Sequence, residues 1–289
     1  MIITIIGLGL IGGSLAKDLR ANGFATELLG VDANPNHQQT ALELGLVDDC
    51  PPLEHACMKA DIVVLTVPVN AILSLLPAIL TYVRSTAVIV DMGSTKEEIA
   101  NEIRGHKARK QVVLAHPMAG TEFSGPKAAI NNLFHGKAAI IADQHDSSPE
   151  AVQLVERLFK SLFMRIIHME AKEHDVHAAY VSHISHISSY VLSLTVLEKE
   201  KSEQNIFNLA SGGFTSTVRL AKSSPTMWRD VFMQNADNVL DVLDSYLEKM
   251  QEFRTLIAEG KFEEVHRLME EANEISKILT KNKRLQLHS

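Results

Sequence analysis

The chain reads as an α/β protein: a doubly wound, mostly parallel sheet over residues 1–168, followed by an all-α half over residues 169–289. Three observations carry this. Short β-branched runs bounded by glycine or proline recur through the first half and stop near residue 168. Helix-like stretches lie between them, and that alternation is what parallel sheets covered on both faces look like. Beyond residue 170 the hydrophobic periodicity is helical and no strand run is convincing.

The runs expected to be strands are residues 2–6, 28–31, 62–67, 87–90, 112–115 and 138–141, with a short closing strand around 164–168. Each is too short and too continuously apolar for an amphipathic helix. Helices are expected between them, for example over 12–22 and 96–104. In the second half they are expected over about 171–200, 206–210, 227–260 and 262–281, with Gly260 marking a helix–helix turn.

Composition narrows the classes. With 289 residues, 46% hydrophobic and 22% charged, the chain can bury a sizeable core. A formal net charge of -7 argues against a nucleic-acid partner, which would call for a basic face. The nearly apolar run 62–80 is broken by Pro68, Asn70 and Pro77, so no membrane association is expected. The chain opens directly into a strand with no basic leader, which fits a cytoplasmic protein. Cys50 and Cys57 are too few for a disulfide framework and match no zinc spacing; they read as reduced thiols.

The first functional signal follows the first strand at once: Gly7-Leu8-Gly9-Leu10-Ile11-Gly12, leading into a helical stretch. In such a Rossmann-type turn Gly7 allows the tight bend, Gly9 lets the backbone approach a pyrophosphate, and Gly12 packs helix against strand. The backbone at Leu10 and Ile11 then opens the helix beneath the phosphates. The second strand ends in Asp32, twenty positions past Gly12, where a carboxylate can accept both ribose hydroxyls. No Arg or Lys among residues 33–36 could receive a 2′-phosphate, so the expected cofactor is NAD rather than NADP. FAD shares the fingerprint, but no second flavin-binding segment is visible.

Two polar segments follow later strands. Asp91-Met92-Gly93-Ser94-Thr95-Lys96 follows the strand at 87–90, where side chains of an open α/β sheet face the nicotinamide end of a cofactor. Alternatively Ser94 or Thr95 caps the next helix, with Glu97 and Glu98 supplying first-turn charge. His116-Pro117-Met118-Ala119-Gly120-Thr121-Glu122 follows the strand at 112–115. A histidine at a strand's carboxyl end has a pKa suited to acid–base work, whereas His37, His55 and His288 read as solvated.

A third segment, in the helical half, carries His174, Asp175, His177, Ser182, His183, Ser185 and His186. At about 100° per residue, His183 and His186 share one face of a regular helix, and His174 and His177 lie largely on the opposite one. A single-helix metal site using all four is therefore not expected. One histidine is expected to face the cleft while the others pack or meet solvent.

Together these segments resemble the prephenate dehydrogenases, a family that includes arogenate and cyclohexadienyl dehydrogenases. The resemblance spans essentially the whole chain. It rests on residues 7–14, 91–96 and 116–122, on His174-Asp175, on 182–186, and on Gly212-Gly213-Phe214 with Arg219. The resemblance implies NAD-dependent oxidative decarboxylation of prephenate to 4-hydroxyphenylpyruvate, on the route to tyrosine. It also implies a helical domain that forms a homodimer, and no metal.

On that resemblance His116 and Ser94 are the catalytic residues. His116 draws off the ring-hydroxyl proton, and Ser94 supports His116 or the same hydroxyl. Arg219 holds a carboxylate of the dianionic substrate, His186 lies near the pyruvyl side chain, and Gly212 and Trp228 line the substrate region. Where many members carry Arg-Asp shortly after the Gly-Gly-Phe, this chain has Thr215-Ser216, which leaves the anion clamp more to Arg219.

Three alternatives stand beside this reading. Arogenate differs from prephenate only in an amino group for the keto oxygen. Other β-hydroxyacid-type dehydrogenases place a lysine on the first long helix of the second domain, and residues 174–197 contain none. A non-catalytic NAD-binding dimeric regulator would have no need of a base in the His116 loop.

Overall fold

The computed structural model describes residues 1–203 and 205–287, with side chains described to residue 280. His288 lies outside the described residues. Seven strands form one sheet: Ile2–Ile6 (β1), Glu27–Val31 (β2), Ile62–Leu65 (β3), Val88–Asp91 (β4), Val112–Pro117 (β5), Ala138–Ala142 (β6) and Arg165–Met169 (β7). Their order across the sheet is β2-β1-β3-β4-β5-β6-β7. All neighbours are parallel except β5 and β6. Every run expected to be a strand is one, with ends shifted by at most two residues.

The continuous apolar runs are explained by what covers them. Side chains alternate across a strand. Ile3, Ile5, Ile62, Val64, Val88, Val90 and Val113 join one apolar cluster with residues of Leu10–Ala21 (α1) and Pro149–Ser161 (α6). Ile6, Val63, Leu65, Ile89, Val112 and Leu114 join a second, with Leu53–Lys59 (α3), Val69–Tyr82 (α4) and Glu97–Ile103 (α5). The remaining helix of this half is Pro35–Glu43 (α2). Thr4, the one polar residue of β1, is fully buried, and its hydroxyl donates to the Ala56 carbonyl at 2.9 Å. The apolar run 62–80 divides at Pro68 into β3 and α4. Among the described residues no helix is long and apolar enough to cross a membrane.

Two long helical patterns are interrupted. The stretch 171–200 is Ala171–Ala178 (α7), a π turn over Ala179–His183, and Ile184–Glu200 (α8). The stretch 227–260 begins earlier, at Pro225, because Ser224 caps a helix Pro225–Gln234 (α10); Asn235 then breaks it before Ala236–Ala258 (α11). Between α8 and α10 lie a 3-10 turn at Ile206–Leu209, a short helix Gly212–Thr217 (α9), and a 3-10 turn at Arg219–Lys222. Gly260 takes φ +70° at the turn before Phe262–Leu287 (α12), as its place in the sequence requires. Two compact units result: residues 1–236, which hold the sheet and the helices through α10, and residues 237–289, whose described part is α11 beyond its first residue and α12.

Both cysteines are free thiols. Burial pushes the Cys57 thiol up to about 11, so it stays protonated and inert.

Phe134, fully buried in the first cluster, should cost about 3–5 kcal/mol of stability when truncated in Phe134→Ala. Urea unfolding of the two proteins measures the difference.

Candidate active site

The parallel strands β1, β3, β4 and β5 end at one edge of the sheet, and the expected functional segments sit on the loops that leave that edge. At the first loop Gly7 has φ +101°, and a Cβ there would stand 2.7 Å from the Thr66 carbonyl oxygen. A Cβ on Gly12 would overlap the Gly7 carbonyl, so helix α1 can meet the turn only without a side chain there. Gly9 is different: its Cβ position faces open space. Gly9 is also the N-cap of α1 and makes no side-chain capping bond, leaving first-turn N–H groups for a ligand.

Gly9, Leu10 and Ile11 line a groove of about 340 Å³, together with Thr66–Val69 and residues 92–94, 119–125 and 223–224. Asp32 follows β2 directly, beside the turn. One of its carboxylate oxygens accepts Leu8 N–H at 2.8 Å and the other Asn34 N–H at 2.9 Å. Each oxygen keeps a second lone pair for a hydroxyl. The bare Gly9 face, the uncapped helix end and the carboxylate at the strand end fit an adenine dinucleotide. His37, read from sequence as solvated, stands 3.3 Å from Asp32.

A second cavity, of about 320 Å³, adjoins the groove and shares Ser94, residues 119–122, Ser223 and Met227 with it. His116, His183, His186, Arg219 and Trp228 complete its walls. Trp228 is buried and stacks on His186, ring centroids 3.6 Å apart. Its indole N–H finds no partner among the described residues, a donor left for a bound molecule. Arg219 is half-exposed and pairs with Glu122 at 3.3 Å. Its segment is fastened to α8, where the Ser189 hydroxyl donates to the Thr217 carbonyl and accepts Ala221 N–H, both at 3.0 Å.

His116 sits next to last in β5, and its Nδ1 lies 2.8 Å from Nε2 of His174. Nδ1 of His174 lies 2.7 Å from the Asp175 carboxylate. Burial, then the neighbouring His174, Lys96 and His183, hold the His116 imidazole well below its ordinary pKa, so it is neutral at pH 7. His183 is buried and brought down to about 4; its Nδ1 lies 3.1 Å from the Asn235 amide.

Several expectations change here. Two histidines of the helical segment, His183 and His186, line the cavity where one was expected, while His174 is buried behind the wall against His116. The π turn at Ala179–His183 interrupts the regular helix on which the opposite-face expectation rested. The Nδ1 partner of His116 is His174 rather than Ser94, although Ser94 shares the cavity. Neither Ser94 nor Thr95 caps α5; the Asp175 carboxylate does, accepting Lys96 and Glu97 N–H at 2.8 Å each. Thr95 instead donates to Gln234 at 2.6 Å.

Lys96 and Asp91 do not face the cofactor groove. They pair with each other in full burial, and burial pushes the lysine down. Gly212 is absent from the cavity wall: it starts α9 on the exposed surface, and Arg219, Leu220 and Ser223 form that part of the wall. His174 and Asp175, which the sequence reading left without a role, are the residues joined to His116, and their one signal in the sequence is an adjacent His-Asp pair in a helix. Among the described residues no group of three or more His, Cys, Asp or Glu could hold a metal ion.

Comparisons with known proteins point to one family. Residues 15–168 match the family described as "Prephenate dehydrogenase, nucleotide-binding domain", and residues 170–271 "Prephenate dehydrogenase, dimerization domain". The chain is 30% identical over 281 residues to the prephenate dehydrogenase of Bacillus subtilis, covering 94% of this chain and 74% of that one. Among solved structures, prephenate dehydrogenase from A. aeolicus in complex with hydroxyphenyl propionate and NAD+ superposes with TM-score 0.87 at 29% identity, covering 94% and 96% of the two chains. Arogenate dehydrogenase of Synechocystis gives TM-score 0.75 at 29% identity, covering 94% and 98%.

Gly9→Ala should unfold at the wild-type temperature yet weaken NAD binding by about tenfold or more, since its Cβ enters space the ligand needs. Gly12→Ala should lose stability as well. Thermal melts and NAD titration separate the two. A second expectation concerns pH. The unfolded chain protonates His183 near 6.5 and the folded chain only near 4. The contribution is therefore full above about pH 6.5 and is lost as pH falls toward 4. His116 acts with the same sign, and urea midpoints at pH 7 and pH 5 should show the drop.

Proposed function

The chain belongs to the prephenate dehydrogenase family and catalyses the NAD-dependent oxidative decarboxylation of prephenate, and we propose the following roles for its residues. Gly7, Gly9, Leu10, Ile11, Gly12 and Asp32 hold NAD, which supplies the hydride acceptor. His116 is the base. As the hydroxyl-bearing ring carbon becomes a carbonyl, the neutral imidazole takes the hydroxyl proton, a service worth about 10²- to 10⁴-fold in rate. Loss of carbon dioxide then aromatises the ring to 4-hydroxyphenylpyruvate and makes the sequence strongly downhill.

Ser94, on the wall common to groove and cavity, bonds the same hydroxyl and orients it toward His116. Arg219 supplies a fixed planar cation to a substrate carboxylate. Trp228 offers its unpartnered N–H, and His186, stacked on the Trp228 ring, borders the substrate side chain. Gly212 has no role in this proposal.

The observation that carries the reading is the neutral His116 in a cavity that adjoins the dinucleotide groove and carries Arg219. The division into a nucleotide-binding part, residues 1–168, and a helical part, residues 169–289, through which two copies form a homodimer, belongs to the same proposal. So does the cytoplasm as its place of work, which suits two unpaired thiols.

His116→Asn should lower kcat by about 10²- to 10⁴-fold with NAD affinity unchanged. Arg219→Ala should raise KM for prephenate by about 10- to 100-fold, the range set by one hydrogen bond to a charged group. In the wild type the acid limb of the kcat profile should fall below pH 6.5, because the lowered His116 pKa keeps the base unprotonated there. NADH formation from prephenate and from arogenate measures all of these. Wild-type turnover by His116→Asn would remove the base.

A further inference from the structure

Three side chains form a hydrogen-bonded line that ends in the substrate cavity: Asp175, His174 and His116, at 2.7 and 2.8 Å. With neutral rings, only one arrangement of protons satisfies it. The Asp175 carboxylate already accepts two backbone N–H groups, so it is an acceptor toward His174 as well. His174 therefore carries its proton on Nδ1 and presents a lone pair at Nε2. His116 must then carry its proton on Nδ1 to meet that lone pair. What remains is a lone pair on His116 Nε2, the ring nitrogen with no protein partner among the described residues.

The reverse arrangement would set a ring lone pair against a buried carboxylate. That carboxylate is 1% exposed and both of its oxygens face donors, so a ring lone pair turned toward it would leave a buried acceptor opposed to an acceptor.

We propose that His174 and Asp175 are positioning residues that fix the tautomer of His116, so that Nε2 is the acceptor each time substrate arrives. The proposal rests on the reading of His116 as the base. An isolated neutral imidazole divides its population between two tautomers, one of which caps Nε2 with hydrogen and cannot act as a base there. When Nε2 takes the hydroxyl proton, the Nδ1–H of the imidazolium stays on His174, whose own N–H points to Asp175. No further proton need move: the charge is stabilised in place by an oriented dipole backed by a carboxylate. Lys96 and His183 also face this cluster; both are buried and neither bonds His116.

Long-range ¹⁵N–¹H spectra of the histidine-labelled wild-type enzyme read the tautomers directly. His116 and His174 should both appear neutral with hydrogen on Nδ1, their signals assigned by loss in His116→Asn and His174→Gln. A wild-type His116 carrying hydrogen on Nε2 overturns the proposal. Kinetics give an independent arm. His174→Leu should lower kcat by about 10²-fold or more with both KM values nearly unchanged, the scale of losing a correctly presented base. His174→Gln, whose amide oxygen can accept the His116 N–H, should recover at least about tenfold of that loss. Equal kcat for the two folded variants overturns the proposal. If His174→Leu does not fold, the wild-type spectrum decides alone. Should His116→Asn retain turnover, the base assignment itself falls; should it be inactive while the tautomer is reversed, only the positioning role falls.

Discussion

The buried carboxylate of Asp175 is the constraint on which the site turns. It accepts Lys96 N–H, Glu97 N–H and His174 Nδ1, each within 2.8 Å, while its backbone carbonyl accepts the Asn235 amide. A carboxylate out of water is tolerable only when donors replace its hydration. Here those donors come from the start of α5, from its own helix and, through the backbone, from the break after α10. A single charge thus ties the loop after β4 to the helices of residues 171–235. It also balances the unsatisfied N–H groups at the start of α5.

Sheet register explains how a residue so late in the chain reaches that spot. Asp91 pairs with Leu114, Leu114 with Ala142, and Ala142 with Met169. The ends of β4, β6 and β7 are therefore level across the sheet, while β5 runs on to Pro117. Because β6 and β7 run against β5, the chain leaves β7 at the height of Asp91, and α7 starts two residues later. His116, at the overhang of β5, then lies within reach of the first turns of α7.

Much of this was legible as one-dimensional pattern. The strands were visible because apolar runs covered on both faces look like nothing else of that length, and the glycine turn because its three positions each answer to a separate steric demand. His116 stood out because a strand end followed by Pro and Gly has no packing use for imidazole. The arrangement of His174 was hidden by the π turn at 179–183, which leaves no mark in hydropathy yet resets the phase of everything beyond it. The cap of α5 was hidden for another reason. Its acceptor lies 78 residues from Glu97, and local capping rules consult only neighbours. Lys96 and Asp91 were read as facing the cofactor because both follow a strand end, and the pattern does not show that they neutralise each other in full burial. Gly212 was carried over from a family pattern, and nothing in its own surroundings brings it to the cavity.

Ser94 and residues 119–122 form one side of both the dinucleotide groove and the neighbouring cavity. A partition touched by two ligands makes their affinities reciprocal: whatever one occupant does to this wall, by ordering it or by shifting its charge, the other feels by the same factor. Selection acting on the preference for either molecule at these positions therefore acts on both, and the order in which they arrive changes rates but leaves the product of the two binding constants fixed.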